Sequence, residues 1–350
     1  MGRFQKLGRC LAVVGMVFAP VIGPVIAAPL PASSHAPAYK YLRVGNPENV
    51  SATPRSGFAL MGGGKDLDEA FRWLCVRAGG GDFLIVRAAG AGDYNPYVQS
   101  LCRLNSVATV VIPDRTAALD PFVEKTIRGA SAIFIAGGDQ ANYINFWMGT
   151  PVQSAINDAI QRGVPVGGTS AGLAVMGEYC YTAQGDKPDD PNLDGKTALA
   201  DPGSARVTLA RGFLDIPVLK NIITDTHFAR RDRMGRLLVF LARLNEPDGR
   251  PTRNPLGIRG IGVQERAAVL LEPNGKAAIV GNGNAYFIDA QQASGLVEKG
   301  APLSFGDFSV QKIAPGDTFD LNSWTGDGIA YTLKVENGKI RSTQTAGEIY

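Results

Sequence analysis

The chain has 350 residues, 45% of them hydrophobic and 19% charged, with a net charge of +3. This is ordinary globular composition, enough for one large domain with or without a smaller appendage. A charge so small, with no run of Lys or Arg interleaved with aromatics, excludes a nucleic-acid surface.

Arg3, Lys6 and Arg9 precede the apolar stretch Leu11 to Ile26, and Ala27-Ala28-Pro29 follows it. A basic start, an apolar middle and a small-residue end make a secretory signal, so residues 1–28 are expected to be removed on export to the periplasm or beyond the cell. Pro20, Gly23 and Pro24 in so short a stretch count against a spanning helix, and no membrane attachment is expected after cleavage. Residues 29–55 begin in Pro-, Ala- and Ser-rich sequence containing His35 and read as a loose mature N-terminus. Cys75, Cys102 and Cys180 then remain, an odd number without metal-type spacing. A Cys75–Cys102 bridge fits an oxidising compartment but is not legible from sequence, and the favoured reading is three small buried hydrophobes.

Residues 56–282 alternate short apolar runs with amphipathic segments. Strands are predicted at Phe58–Met61, Phe83–Ala88, Val107–Ile112, Ala132–Ala136 and Val164–Gly167, and helices at Asp66–Ala78, Pro121–Gly129 and Pro151–Arg162. This alternation predicts an α/β fold, a three-layer parallel sheet with helices on both faces and the active site at the carboxyl ends of the strands. Three glycine loops leave those ends. Gly62-Gly63-Gly64 reads as tight turning, without the spacing of a nucleotide loop. Gly137-Gly138-Asp139-Gln140 is more informative, because paired glycines let backbone N–H groups face a carbonyl oxygen. The third, Gly167-Gly168-Thr169-Ser170-Ala171-Gly172, has the Gly-x-Ser-x-Gly form of a nucleophile elbow.

Tyr179 to Arg206 reads as a surface excursion. Within it Asp190, Asn192, Asp194 and Asp201 have the spacing of a calcium loop, but the flanks lack paired amphipathic helices. Polar turn chemistry is the reading, so no metal and no other cofactor is expected. Residues 283–350 lose helical periodicity and predict a small β-rich extension.

An elbow serine needs a base, and His227 is the only imidazole of the folded part. Gly260-Ile261-Gly262-Val263-Gln264-Glu265 is a glycine-flanked strand ending in a carboxylate able to orient that imidazole. The order Ser170, His227, Glu265 differs from that of α/β-hydrolases, where the acid precedes the histidine. Arg230, Arg231, Arg233 and Arg236 follow the histidine, and on a helix beginning there Arg233 and Arg236 share a face with Arg230 on the same side; guanidinium groups beside a nucleophile suit a carboxylate-bearing substrate.

Together, Gly168-Thr169-Ser170-Ala171-Gly172, Gly137-Gly138-Asp139-Gln140, Asp225-x-His227-Phe228-x-x-Arg231-x-Arg233-x-Gly235-Arg236-Leu237 and Gly260-Ile261-Gly262-x-x-Glu265 resemble the cyanophycinase family of serine peptidases, relatives of aspartyl dipeptidase. The resemblance implies a fold like class I glutamine amidotransferases (flavodoxin-like), often a homodimer, with Ser170 as nucleophile, His227 as base and Glu265 as orienting acid. It implies oxyanion donors at Gly137 or Gly138 and at Ala171. Gln140, Asp225, Arg231, Arg233 and Arg236 match positions that hold the β-aspartyl-arginine unit of cyanophycin, a poly-aspartate bearing arginine side chains. Thr226 stands among them where the family has Gln, and Gln264 replaces an acidic residue. The alternatives are a peptidase of the same fold for another acidic or isoaspartyl peptide, or a catalytically silent binder of anionic peptides.

Overall fold

In the computed structural model, residues 1–2, 36–186, 189, 192–245, 257–290 and 294–350 are described. The predicted signal segment therefore lies outside the described residues beyond its first two. The elements are, in chain order, β1 (Lys40–Gly45), β2 (Phe58–Met61), α1 (Asp68–Arg77), β3 (Asp82–Arg87), α2 (Tyr94–Leu101), β4 (Ser106–Val111), α3 (Arg115–Ala118), α4 (Pro121–Arg128), β5 (Ala132–Ile135), α5 (Gln140–Trp147), α6 (Pro151–Gln161), β6 (Val166–Thr169), α7 (Ala171–Ala174), β7 (Tyr179–Tyr181), α8 (Gly195–Ala200), β8 (Leu209–Arg211), β9 (Ile222–Asp225) and α9 (Met234–Asn245). Ten further strands follow, β10 (Arg259–Val263), β11 (Ala267–Leu271), β12 (Lys276–Gly281), β13 (Ala285–Asp289), β14 (Ser294–Leu296), β15 (Ser304–Ile313), β16 (Thr318–Asp320), β17 (Thr325–Gly326), β18 (Ile329–Glu336) and β19 (Lys339–Ser342).

The expected parallel sheet is its central part, β4-β3-β5-β6-β2. Its strands are continuous apolar runs because both faces are covered. Phe83 and Ile85 pack on one side with Phe71 and Leu74 of α1 and Val98 of α2. Leu84 and Val86 pack on the other with Val123 of α4, Tyr143 of α5 and Ile156 of α6. The sheet continues antiparallel on both edges, however, with β1 against β4 and β11, β12, β16 and β17 beyond β2. Residues 40–45, expected in a loose stretch, thus form an edge strand, whose alternating exposure is that of a one-sided edge.

A second sheet runs β19-β18-β15-β13-β10-β9-β7-β8. The β-rich region after residue 282 joins both sheets. Its β13 pairs with β10, and β16 pairs with β12 in the first sheet. The physical reason is that β10 and β12 each carry buried apolar residues on a strand with an open edge, which these later strands cover. Pro37–Tyr350 forms one compact unit. No helix among the described residues is long and apolar enough to cross a membrane.

Cys75 and Cys102 are joined in a disulfide, and Cys180 is free and buried. The favoured reading of three unlinked thiols is therefore corrected. Both cysteines flank the packing of α1 on α2, which brings their Cα atoms to 6.1 Å, within bridging range. At a sequence separation of 27, the bridge restricts the unfolded chain by about 3.5 kcal/mol in the loop-entropy picture. Reduction, or the Cys75→Ala/Cys102→Ala variant, is expected to lower the denaturation midpoint correspondingly in urea titrations.

Candidate active site

Ser170 joins β6 to α7 with φ 52° and ψ −118°. A serine in that region is strained by roughly 1–3 kcal/mol, and the surroundings must hold it there. The flanking glycines make this turn sterically possible. A Cβ on Gly168 would lie 2.6 Å from the Gly172 carbonyl, and one on Gly172 would fall on the Ile135 carbonyl oxygen. The Ser170 N–H donates to the Met61 carbonyl at 3.2 Å, tying the bend to the end of β2.

The hydroxyl Oγ lies 2.7 Å from Nε2 of His227, and His227 Nδ1 lies 2.6 Å from Oε1 of Glu265. Strands β9 and β10 are parallel neighbours with Asp225 opposite Gly262, so the segments leaving their ends bring the histidine and the glutamate together. His227 adopts φ 47° and its N–H donates to the Gly62 carbonyl at 2.7 Å. The Gly62–Gly64 loop, read from sequence as a simple turn, is therefore a wall of the site. At Gly63, which has φ 93°, a Cβ would lie 2.5 Å from Cε1 and 2.6 Å from Nε2 of the imidazole. Only glycine permits so close an approach.

The electrostatics suit proton acceptance. Burial lowers the His227 pKa, the Glu265 hydrogen bond opposes this, and the Arg231 and Arg233 cations lower it further. The ring is thus neutral at neutral pH. Glu265 is held below its ordinary value, chiefly by its hydrogen bond with His227, and stays ionised.

Beside Ser170 opens a cavity of about 430 Å³. Of the expected residues, Gly138, Gln140, Ala171, Thr226, Arg231, Arg233 and Arg236 line it. Gly137 and Asp225 do not, although Gly137 backs Ser170, where a Cβ on it would lie 3.4 Å from Ser170 Cβ. The Tyr143 hydroxyl lies 2.8 Å from the Ala136 carbonyl oxygen and 3.2 Å from that of Gly137, donating to them. Because a trans peptide sets C=O and N–H opposite one another, fixing the Gly137 carbonyl also fixes the direction of the Gly138 N–H.

The remaining wall comes from the segment expected to be a surface excursion. Tyr181, Ala183, Asp186 and Asn192 line the cavity. Leu193 and Leu199 are buried in the core that covers α9, which is what folds this segment inward. The Tyr-Cys-Tyr triplet of β7 was the one local signal for it. Asp190 of the calcium-like motif lies outside the described residues. Asp194 caps α8 by accepting the Thr197 N–H, and Asp201 accepts those of Gly203 and Gly300.

The arginine cluster differs most from expectation. Helix α9 starts at Met234, so Arg230, Arg231 and Arg233 lie in the preceding turn, where Asp232 has φ 47° and breaks the helical path. Arg236 is fully buried and forms a two-pronged pair with Asp225, at 2.7 Å from Nε and 2.5 Å from Nη2, while Nη1 donates to the Leu193 carbonyl. Its fork is thus occupied. Arg233 donates through Nη1 to the Thr226 carbonyl and hydroxyl, each at 3.0 Å, and through Nη2 to Asn192 Oδ1 at 2.8 Å. Burial and then the neighbouring Arg236 push its pKa down to about 9, which leaves it cationic at neutral pH. Arg231 is exposed and carries no hydrogen bond or ion pair among the described residues, which leaves its fork open at the cavity mouth.

Residues 60–200 match the family model of peptidase family S51. The chain is 28% identical over 284 residues to a cyanophycinase of Geminocystis herdmanii (strain PCC 6308), covering 76% of this chain and 94% of the relative. It is 26% identical over 262 residues to a cyanophycinase of Synechococcus elongatus, covering 71% and 73%. A cyanophycinase of Nostoc sp. (strain PCC 7120 / SAG 25.82 / UTEX 2576) is 30% identical over 204 residues, covering 57% and 60%. Among solved structures, a peptidase from an acI-B1 Actinobacterium superposes with a TM-score of 0.49 at 17% identity, covering 77% of this chain and 98% of that one. The S51 match across the elbow, with cyanophycinase relatives spanning most of the chain, supports a serine-type peptidase of the cyanophycinase kind, related to aspartyl dipeptidase.

Proposed function

We propose that the protein is an exported exopeptidase that hydrolyses cyanophycin to β-aspartyl-arginine dipeptides. Ser170 attacks the amide carbonyl as its proton passes to Nε2 of His227, and the N–H groups of Gly138 and Ala171 stabilise the oxyanion. His227, held by Glu265, returns the proton to the leaving amine. Water then attacks the acyl carbonyl and gives a proton to His227, which passes it to Ser170 Oγ as the acyl group leaves as a carboxylic acid. The observation that most supports this reading is the Ser170–His227–Glu265 line, with links of 2.7 and 2.6 Å, beside a cavity mouth bearing Arg231, which has no partner among the described residues. An open guanidinium fork suits a substrate carboxylate. Export is supported by the signal-like residues 1–28 and by the Cys75–Cys102 bridge, a bond of oxidising compartments. A homodimer is part of the same proposal.

The test is incubation of purified protein with cyanophycin and mass spectrometry of the soluble products. β-Aspartyl-arginine is expected, and its absence sinks the substrate assignment. A second reading, a peptidase for another isoaspartyl peptide, is favoured by Thr226, whose hydroxyl already accepts a hydrogen bond from Arg233 and offers less than an amide would. Cleavage of isoaspartyl dipeptides without cyanophycin turnover would select it. A silent binder would take up no serine-directed phosphonate at Ser170.

The pH profile follows from His227. Catalysis needs its neutral form, and its pKa lies below the ordinary value. The acid limb of kcat/KM is therefore expected to turn below pH about 6.5, with activity kept at and above neutrality. An inflection clearly above that value would count against this base.

A further inference from the structure

The region after residue 282 falls outside the family match, yet two of its tyrosines reach the back of the active site. Tyr350 packs edge-on against Phe228, the neighbour of His227, with ring centroids 5.9 Å apart, and against Tyr286 at the same separation. Its hydroxyl accepts the N–H of Met234, the first residue of α9, at 2.9 Å and donates to Asp232 Oδ1 at 3.0 Å. Burial keeps this hydroxyl protonated and therefore a donor. On the other side, the Tyr286 hydroxyl accepts from Gln264 Nε2 at 2.9 Å, next to Glu265.

We infer that Tyr350 is a positioning residue for substrate capture, its hydroxyl holding the turn that presents Arg231 and Arg233 to the cavity. The turn has two anchors. At its start, His227 and Phe228 donate backbone hydrogen bonds to Gly62 and Val263, within the site itself. At its end, Tyr350 holds Asp232 and Met234 from 116 residues or more away in sequence, beside backbone bonds from the Gly195 N–H to the Asp232 carbonyl at 2.8 Å and from the Arg233 N–H to the Phe228 carbonyl at 2.9 Å. Arg231 and Arg233 lie on either side of Asp232. Loss of the Tyr350 hydroxyl therefore loosens the arginine end, chiefly at Arg231, since Arg233 is also held by Thr226 and Asn192, while the proton-transfer end keeps its own bonds. The tyrosine ring is clamped by Phe228 and Tyr286, so Phe at this position keeps the packing and removes only the bridge.

This assignment rests on the proposed reading of the arginines as carboxylate holders. The decisive variants are Tyr350→Phe, Asp232→Ala and Asp232→Asn. Loss of one hydrogen bond to a charged group predicts a KM for cyanophycin raised about tenfold in the first two. kcat and the rate of phosphonate labelling of Ser170 should stay within about threefold of wild type, as interactions confined to substrate holding leave chemistry intact. Asp232→Asn retains an acceptor and should largely restore KM. The concentration of succinate that protects Ser170 from the label should rise in parallel with KM, a readout that does not depend on cyanophycin being the substrate. An unchanged KM and unchanged succinate protection in both Tyr350→Phe and Asp232→Ala would overturn the proposal, as would equal loss of kcat and labelling. A wild type that is protected by succinate but leaves cyanophycin intact would remove the substrate reading alone.

Discussion

Ser170→Ala is expected to lower kcat for peptide hydrolysis by about four to six orders of magnitude, with KM little changed. The loss is of this size because the covalent route disappears. Without the hydroxyl, His227 has no proton to accept from a nucleophile at 2.7 Å, and only oxyanion stabilisation and substrate binding remain. Alanine also fits the steric constraints of the bend no worse than serine, so circular dichroism and the melting temperature should be close to wild type. Steady-state kinetics on the purified variant checks the first point, and retained turnover within tenfold would assign the chemistry elsewhere.

Arg236→Leu is expected to destabilise the fold by about 3–5 kcal/mol, the usual consequence of leaving one member of a buried ion pair uncompensated. Both side chains are only 2% exposed, and Asp225 would lose two short charge-assisted hydrogen bonds. The double variant Asp225→Asn/Arg236→Leu should recover much of that loss, because no unpaired charge is then left inside. Urea denaturation of wild type, single and double variants forms the cycle. A single variant as stable as wild type, with substrate binding alone impaired, would instead make Arg236 a substrate ligand.

Different parts of the site were legible for different reasons. The elbow is a local feature: its glycines are required by contacts within a few residues of Ser170 and by the neighbouring strand, so the pattern is written contiguously. His227 was legible by scarcity of imidazoles and by the block from Asp225 to Leu237 that carries the family resemblance. Glu265 was legible because a parallel strand must end near the sheet end that bears the histidine. What the sequence hid depends on distant packing. The roles of the arginines turn on whether each fork meets a buried partner, and Asp225 fixes Arg236 from the preceding strand. The helix start moved to Met234 because Asp232 takes a left-handed conformation that residue type alone does not announce. The part played by Gly63 is a contact with a histidine far along the chain, and Tyr143 acts through carbonyls whose orientation has no sequence signature. The parallel core followed from periodicity, whereas the antiparallel additions and the second sheet depend on which edges need covering.

Ser170 leaves a strand of one sheet, and His227 and Glu265 leave strands of the other. Turnover consequently gauges the seam between the sheets. A small relative slide of the two would part oxygen from nitrogen while every ladder of hydrogen bonds inside each sheet survived. On gradual heating or denaturation, hydrolysis should therefore cease before far-ultraviolet ellipticity falls, and during refolding it should return last, once both halves have closed on one another.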